Sequence, residues 1–133
     1  MIAYLTAYLA TIVCVVIIDY AWLSTMGLRL YRARLGNLLL DQPILWAAGL
    51  FYILYALGVT VLAIAPAIRA QSWIEAAVLG GFVGLTAYMT YDLTNLATMR
   101  QWSLLITALD IVWGTLLTAI SATVGYFVAR IAS

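Results

Sequence analysis

Residues 73–98 read WIEAAVLGGFVGLTAYMTYDLTNLAT. Just before this run stands Ser72, and Glu75 follows three residues later, a capping-box pattern that starts a helix. The run is longer than the roughly 20 residues needed to cross a bilayer. Gly80 and Gly84 place small residues on one stripe, where a second helix can approach closely. The same four-residue step continues through Tyr88 to Asp92, and Asn95 lies three further on. The packed face of this helix therefore leads to a polar cluster at Met89–Thr98, with a carboxylate and an amide where lipid should be. A carboxylate in that position is expensive, and by default it marks a candidate functional site.

Composition agrees with the spanning reading. The chain has 133 residues, of which 67% are hydrophobic and 8% charged, and its mean hydropathy is +1.10. A soluble domain carries about 25% charged residues. So few charges cannot cover a water-facing surface, and the chain reads as one integral membrane domain over 1–133. A net charge of +1 argues against a nucleic-acid partner. All six basic residues are arginines and there is no histidine. That excludes a His-ligated haem or zinc, a His-box di-iron centre and a Ser-His-Asp triad. No cofactor or metal is expected. Cys14, the single cysteine, reads as a small apolar residue of the first span.

Three further apolar runs complete the chain, giving spans at about 2–26, 43–64, 73–98 and 103–128. The first lacks a positive n-region and exceeds a typical h-region, so it reads as a retained span. Between the first two spans, Arg29, Arg32, Arg34, Asn37 and Asp41 alternate with Leu28, Leu30, Tyr31, Leu35 and Leu38 to Leu40. This mixture suggests a short amphipathic helix in the interface. Pro43 suits the first turn of the second helix, and Pro66 ends or kinks it. The fold class is all-α: a polytopic four-transmembrane-helix bundle with a short amphipathic segment after the first helix.

Arginine counts favour a cytoplasmic location for the first and third loops. Arg29, Arg32, Arg34 and Arg100 lie on that side, against Arg69 and Arg130 on the other, so both termini are expected outside. Asp19 and Asp92 then fall about two turns before the cytoplasmic end of their helices, and Asp110 about two turns after one. All three share one depth, roughly 9–10 Å from the boundary. The functional expectation is a pocket lined by Asp19, Trp22, Tyr88, Asp92, Asn95, Asp110 and Trp113. Three like charges in so small a space need a proton, a cation or an arginine to coexist. The bland alternative is an interhelical hydrogen-bond cluster with Asn95, Tyr88 and Thr107 as donors. Trp22 and Trp113 each lie three residues after an aspartate, which suits a pocket wall or an interfacial anchor. Arg29, Arg32, Arg34 and Arg100 read as positive-inside residues or as contacts to anionic lipid.

Several segments resemble one known group. They are Tyr91-Asp92-Leu93-Thr94-Asn95-Leu96-Ala97-Thr98, Asp19-x-x-Trp22-Leu23, Tyr31-Arg32, Leu35-Gly36, Phe51-Tyr52 with Tyr55, and Asp110-x-x-Trp113-Gly114-Thr115. Together they resemble the bacterial membrane family catalogued as domain of unknown function 2177, over essentially the whole chain. The resemblance implies a small multispan protein, with four helices, in a bacterial inner membrane, and it implies no activity. The residues themselves favour binding or transport of a small solute, cation or proton. An intramembrane enzyme acting on a lipid or isoprenoid ranks second, since no nucleophile or paired-Asp metal motif is evident. An accessory subunit of a larger membrane complex ranks third. The expected partners are the lipid bilayer and either further copies of the chain or a larger complex, with Gly80 and Gly84 either one candidate contact or equally an internal packing stripe.

Overall fold

The computed structural model describes residues 1–39 and 42–133. Leu40 and Asp41, read above as part of the amphipathic connection, lie outside the described residues. Among the described residues there are helices and no strands. Four helices are long and apolar enough to span a membrane: α1 (Ile2–Thr25), α3 (Leu45–Ala70), α4 (Trp73–Thr98) and α5 (Leu104–Ala132). A short helix, α2 (Leu28–Leu35), follows α1 directly through a π-helical turn at Leu23–Gly27. The spanning helices alternate in direction. One end of the bundle therefore carries Arg29, Arg32, Arg34 and Arg100, and the other carries the termini with Arg69 and Arg130.

The ends of α4 and α5 are set by hydroxyl caps. Ser72 Oγ accepts the Glu75 backbone N–H at 3.2 Å, and Ser103 Oγ accepts that of Ile106 at 3.3 Å. Each cap satisfies one of the donors that a helix start leaves unpaired. Helix α3 does not stop at Pro66. A π-helical turn over Thr60–Ile64 precedes the proline, and the helix runs on to Ala70. The wider turn accommodates the backbone where proline lacks an N–H, so the span is longer than its sequence pattern predicts. It closes at Gln71, whose left-handed backbone (φ 54°) reverses the chain into Ser72.

Helix α5 lies at the centre, packed on α4 along its length and on α1. The stripe Ala76, Gly80, Gly84, Tyr88 and Asp92 is what α4 turns toward α5. A Cβ on Gly80 would lie 2.7 Å from the Cβ of Ala122, and one on Gly84 would overlap Thr118 and the Gly114 carbonyl. One step on, a Cβ on Gly114 would overlap the Tyr88 ring. The antiparallel register thus pairs Gly80 with Ala122, Gly84 with Thr118 and Tyr88 with Gly114. The next pair in that register is Asp92 with Asp110. Gly80 and Gly84 are therefore used inside the bundle, against α5, rather than presented to another copy. On the opposite flank, Gly125 admits Thr11 and Ala7 of α1 and Ile64 of α3.

Helix α3 meets α4 mainly through its π-helical turn and final turns, whereas its first half lies along α1. Toward the arginine-rich end, α3 and α4 therefore diverge. Helix α2 crosses that end with Leu35 buried and Tyr31 half-buried toward the bundle, while Arg29, Arg32 and Arg34 are exposed. The amphipathic pattern is realised, with Tyr31 and Leu35, four residues apart, on the inner face.

Candidate functional site

Asp19, Asp92 and Asp110 each lie six residues from the arginine-rich end of their helix (Thr25, Thr98 and Leu104). At 1.5 Å per residue that is roughly 9 Å inside the helix end for all three. Common depth does not bring them to a common point, because each carboxylate has its own surroundings.

Asp19 is half-buried and accepts two hydrogen bonds. Tyr52 of α3 donates to Oδ2 at 2.5 Å, and the Trp113 indole of α5 donates to Oδ1 at 3.2 Å. Asp110 accepts from the Tyr31 hydroxyl of α2 at 2.8 Å, and that hydroxyl accepts in turn from the Trp22 indole at 3.4 Å. The Tyr31 phenol is pushed above its ordinary range, chiefly by burial and next by the charge of Asp110, so it stays a donor. Between the two sets of bonds, Trp22 and Trp113 stack with centroids 4.6 Å apart and planes 16° from parallel.

Asp92 differs from both. It is fully buried, at 0% exposure. Neither of its carboxyl oxygens meets a hydrogen-bond donor. The helix register sets Asp110 of α5 opposite it, and the charge of that second carboxyl acts on Asp92. Two carboxylates facing each other, Asp92 fully buried and Asp110 half-buried, do not both carry charge without compensation.

Among the described residues no three acidic or thiol groups gather closely enough to hold a metal ion. The arrangement is a pair, Asp92 with Asp110, and a separate Asp19 across the tryptophan stack. Tyr88 packs on Gly114 and meets the Tyr55 ring edge-on at 6.3 Å. Tyr55 shares a hydrogen bond of 2.7 Å with Thr118. Asn95 is half-buried one turn beyond Tyr91. Thr107 donates within its own helix, to the Ser103 carbonyl at 2.9 Å. Arg100 is exposed in the turn after α4.

Tyr31 and Tyr52 supply the carboxylates with donors that were absent from the sequence-based list. The second span carries no charge and Tyr31 sits among arginines, so both phenols resemble ordinary interfacial residues. A cleft of about 330 Å³ opens where α3 and α4 diverge, lined by Phe51, Ala87, Tyr88, Tyr91 and Asp110.

These features define a small multispan membrane protein, built on four apolar helices, with carboxylates set into three of them. A family model described as "Predicted membrane protein (DUF2177)" matches residues 4–127. The chain belongs to that family, domain of unknown function 2177. No curated protein and no solved structure matches it.

Proposed function

We propose that the pair Asp92 and Asp110 binds a proton or a small cationic solute within the membrane, and that the protein serves its binding or transport. The observation that carries this reading is Asp92, fully buried with no donor on either oxygen and with a second carboxylate beside it. A purely structural polar cluster would bring hydrogen-bond donors to its buried acceptors, as Asp19 has from Tyr52 and Trp113. A pair with one unsatisfied member suits an occupant that leaves: a proton shared between the oxygens, exchanged for a cation. The arginine count supports a position for the pair nearer the cytoplasmic face of a bacterial inner membrane, with the termini outside. Arg29, Arg34 and Arg100, all exposed at that end, suit contacts with anionic lipid.

The test is infrared spectroscopy of the reconstituted protein. A protonated carboxyl band is expected near neutral pH, lost in both Asp92→Asn and Asp110→Asn and kept in Asp19→Asn. A wild-type spectrum with no protonated carboxyl, together with no cation-dependent proton release, would overturn the reading.

A further inference from the structure

We infer that the cleft between α3 and α4 takes a hydrophobic organic cation, its ammonium head held at Asp110 among the rings of Phe51, Tyr88 and Tyr91. This rests on the cation site proposed above and names the chemical class of its occupant.

The lining chemistry selects that class. Three of the five lining residues are aromatic, and the only charged one is the carboxylate of Asp110. Aromatic faces carry negative potential and attract cations, most effectively alkylated ammonium groups that give up little hydration. Neighbouring rings hold the lining rings in place. Phe51 stacks on Tyr55 at 5.1 Å, Tyr55 meets Tyr88 at 6.3 Å, and Tyr91 is braced edge-on by Trp102 at 5.6 Å. An inorganic cation would need about six oxygen ligands, and this lining is mostly carbon. An anion would meet Asp110 with Asp92 behind it. A neutral apolar molecule would cover the carboxylate without compensating its charge.

Position and size agree. The cleft, at about 330 Å³, lies at the small end of the range for ligand pockets. Phe51 is 44% exposed and Tyr91 57% exposed, on helix flanks that also expose Leu50, Leu54 and Leu93. Phe51 lies six residues into α3, level with the three aspartates. The cleft thus opens sideways, through the apolar flank of the bundle. A solute with a hydrophobic body can arrive from the lipid and turn its charged head inward to Asp110.

The experiment uses the full chain in maltoside micelles, which carry neither charge nor ammonium groups. The probe is benzyltrimethylammonium, with neopentylbenzene, its uncharged isostere, as competitor. Calorimetry is expected to show saturable binding of the ammonium that the isostere does not displace. Asp110→Asn should weaken binding by about tenfold, and Phe51→Leu and Tyr91→Leu by a few-fold each. The two ring variants alter exposed side chains and leave the fold intact. Equal competition by the isostere, unchanged affinity in Asp110→Asn, or no saturable binding would each overturn the inference. The infrared band separates it from the parent reading. A protonated Asp92–Asp110 pair with no ammonium binding leaves the proton site standing and removes this one. Ammonium binding that depends on Asp110, without any protonated carboxyl, keeps the cation site and removes only the shared proton.

Discussion

Trp22 of α1 stacks on Trp113 of α5, and each indole serves a carboxylate that the other helix carries. Trp113 donates to Asp19 directly, and Trp22 reaches Asp110 through the Tyr31 hydroxyl. The two Asp-x-x-Trp segments are thus exchanged between helices, tying α1 to α5 at the depth of the aspartates. Trp113→Phe keeps a ring in the stack but removes a donor from a half-buried carboxylate. That change is expected to destabilise the protein by about 1–3 kcal/mol. Trp113→Leu and Trp22→Leu, made singly and together, give a double-mutant cycle that reads the stacking energy, expected at about 0.5–1.5 kcal/mol. Reversible unfolding in mixed micelles measures both, and additive effects would mean that the rings touch without coupling.

The glycine stripe gives a second expectation. A Cβ on Gly84 would overlap the Gly114 carbonyl and Thr118, whereas one on Gly49 or Gly58 meets nothing within 4 Å. Gly84→Ala should lose about 1–3 kcal/mol by forcing α4 and α5 apart. Gly49→Ala and Gly58→Ala should be neutral or gain up to about 1 kcal/mol from helix propensity. The thermal midpoints of the three variants decide the matter. A tolerated Gly84→Ala would mean that the α4–α5 contact is looser than the register described above.

The depth of the aspartates was legible in the sequence because helix length converts position into distance. Asp19, Asp92 and Asp110 could be levelled from the run lengths alone. Which of them touch was not legible. That depends on the antiparallel register, and the register is set by what Gly80 and Gly84 pack against: Ala122 and Thr118, a partner the stripe itself does not name. Hydrogen-bond partners were hidden for a related reason. Helical periodicity says which face Tyr52 occupies but not that the facing helix offers Asp19. The far end of α3 is not fixed by its sequence, because Pro66 can either end or kink a helix, and here a π-helical turn carries the helix past it to Ala70.

Asp92 offers a sharp contrast between two substitutions. Asp92→Asn keeps the shape and turns one oxygen into an N–H donor beside Asp110. It should fold about as well as the native chain, within about 1 kcal/mol, because the amide N–H takes the place of the shared proton as donor to Asp110. Asp92→Lys places a bulkier cation in a fully packed position and should fail to assemble. Folded yield by size-exclusion chromatography, followed by unfolding of the Asn variant, tests the pair. A strongly destabilised Asp92→Asn would mean that the carboxylate itself holds the helices together.

Tyr31 is the polar tie between α2 and the bundle, through Asp110 at 2.8 Å, and Leu35 is its apolar companion on the same face. Tyr31→Phe removes the hydroxyl that bridges Trp22 to Asp110 while keeping the ring. Loss of a hydrogen bond to a charged group is worth about 1.5–3 kcal/mol. Helix α2 is short and the spanning helices keep their own packing, so the effect should appear chiefly as local opening of α2 rather than global unfolding. Amide hydrogen exchange over Leu28–Leu35 should accelerate by about tenfold or more, with α4 and α5 unchanged. Exchange that rises equally in all helices would show instead that Tyr31 supports the core through Asp110. Unaltered exchange in α2 would show that the docking of that helix does not depend on the Tyr31 hydroxyl.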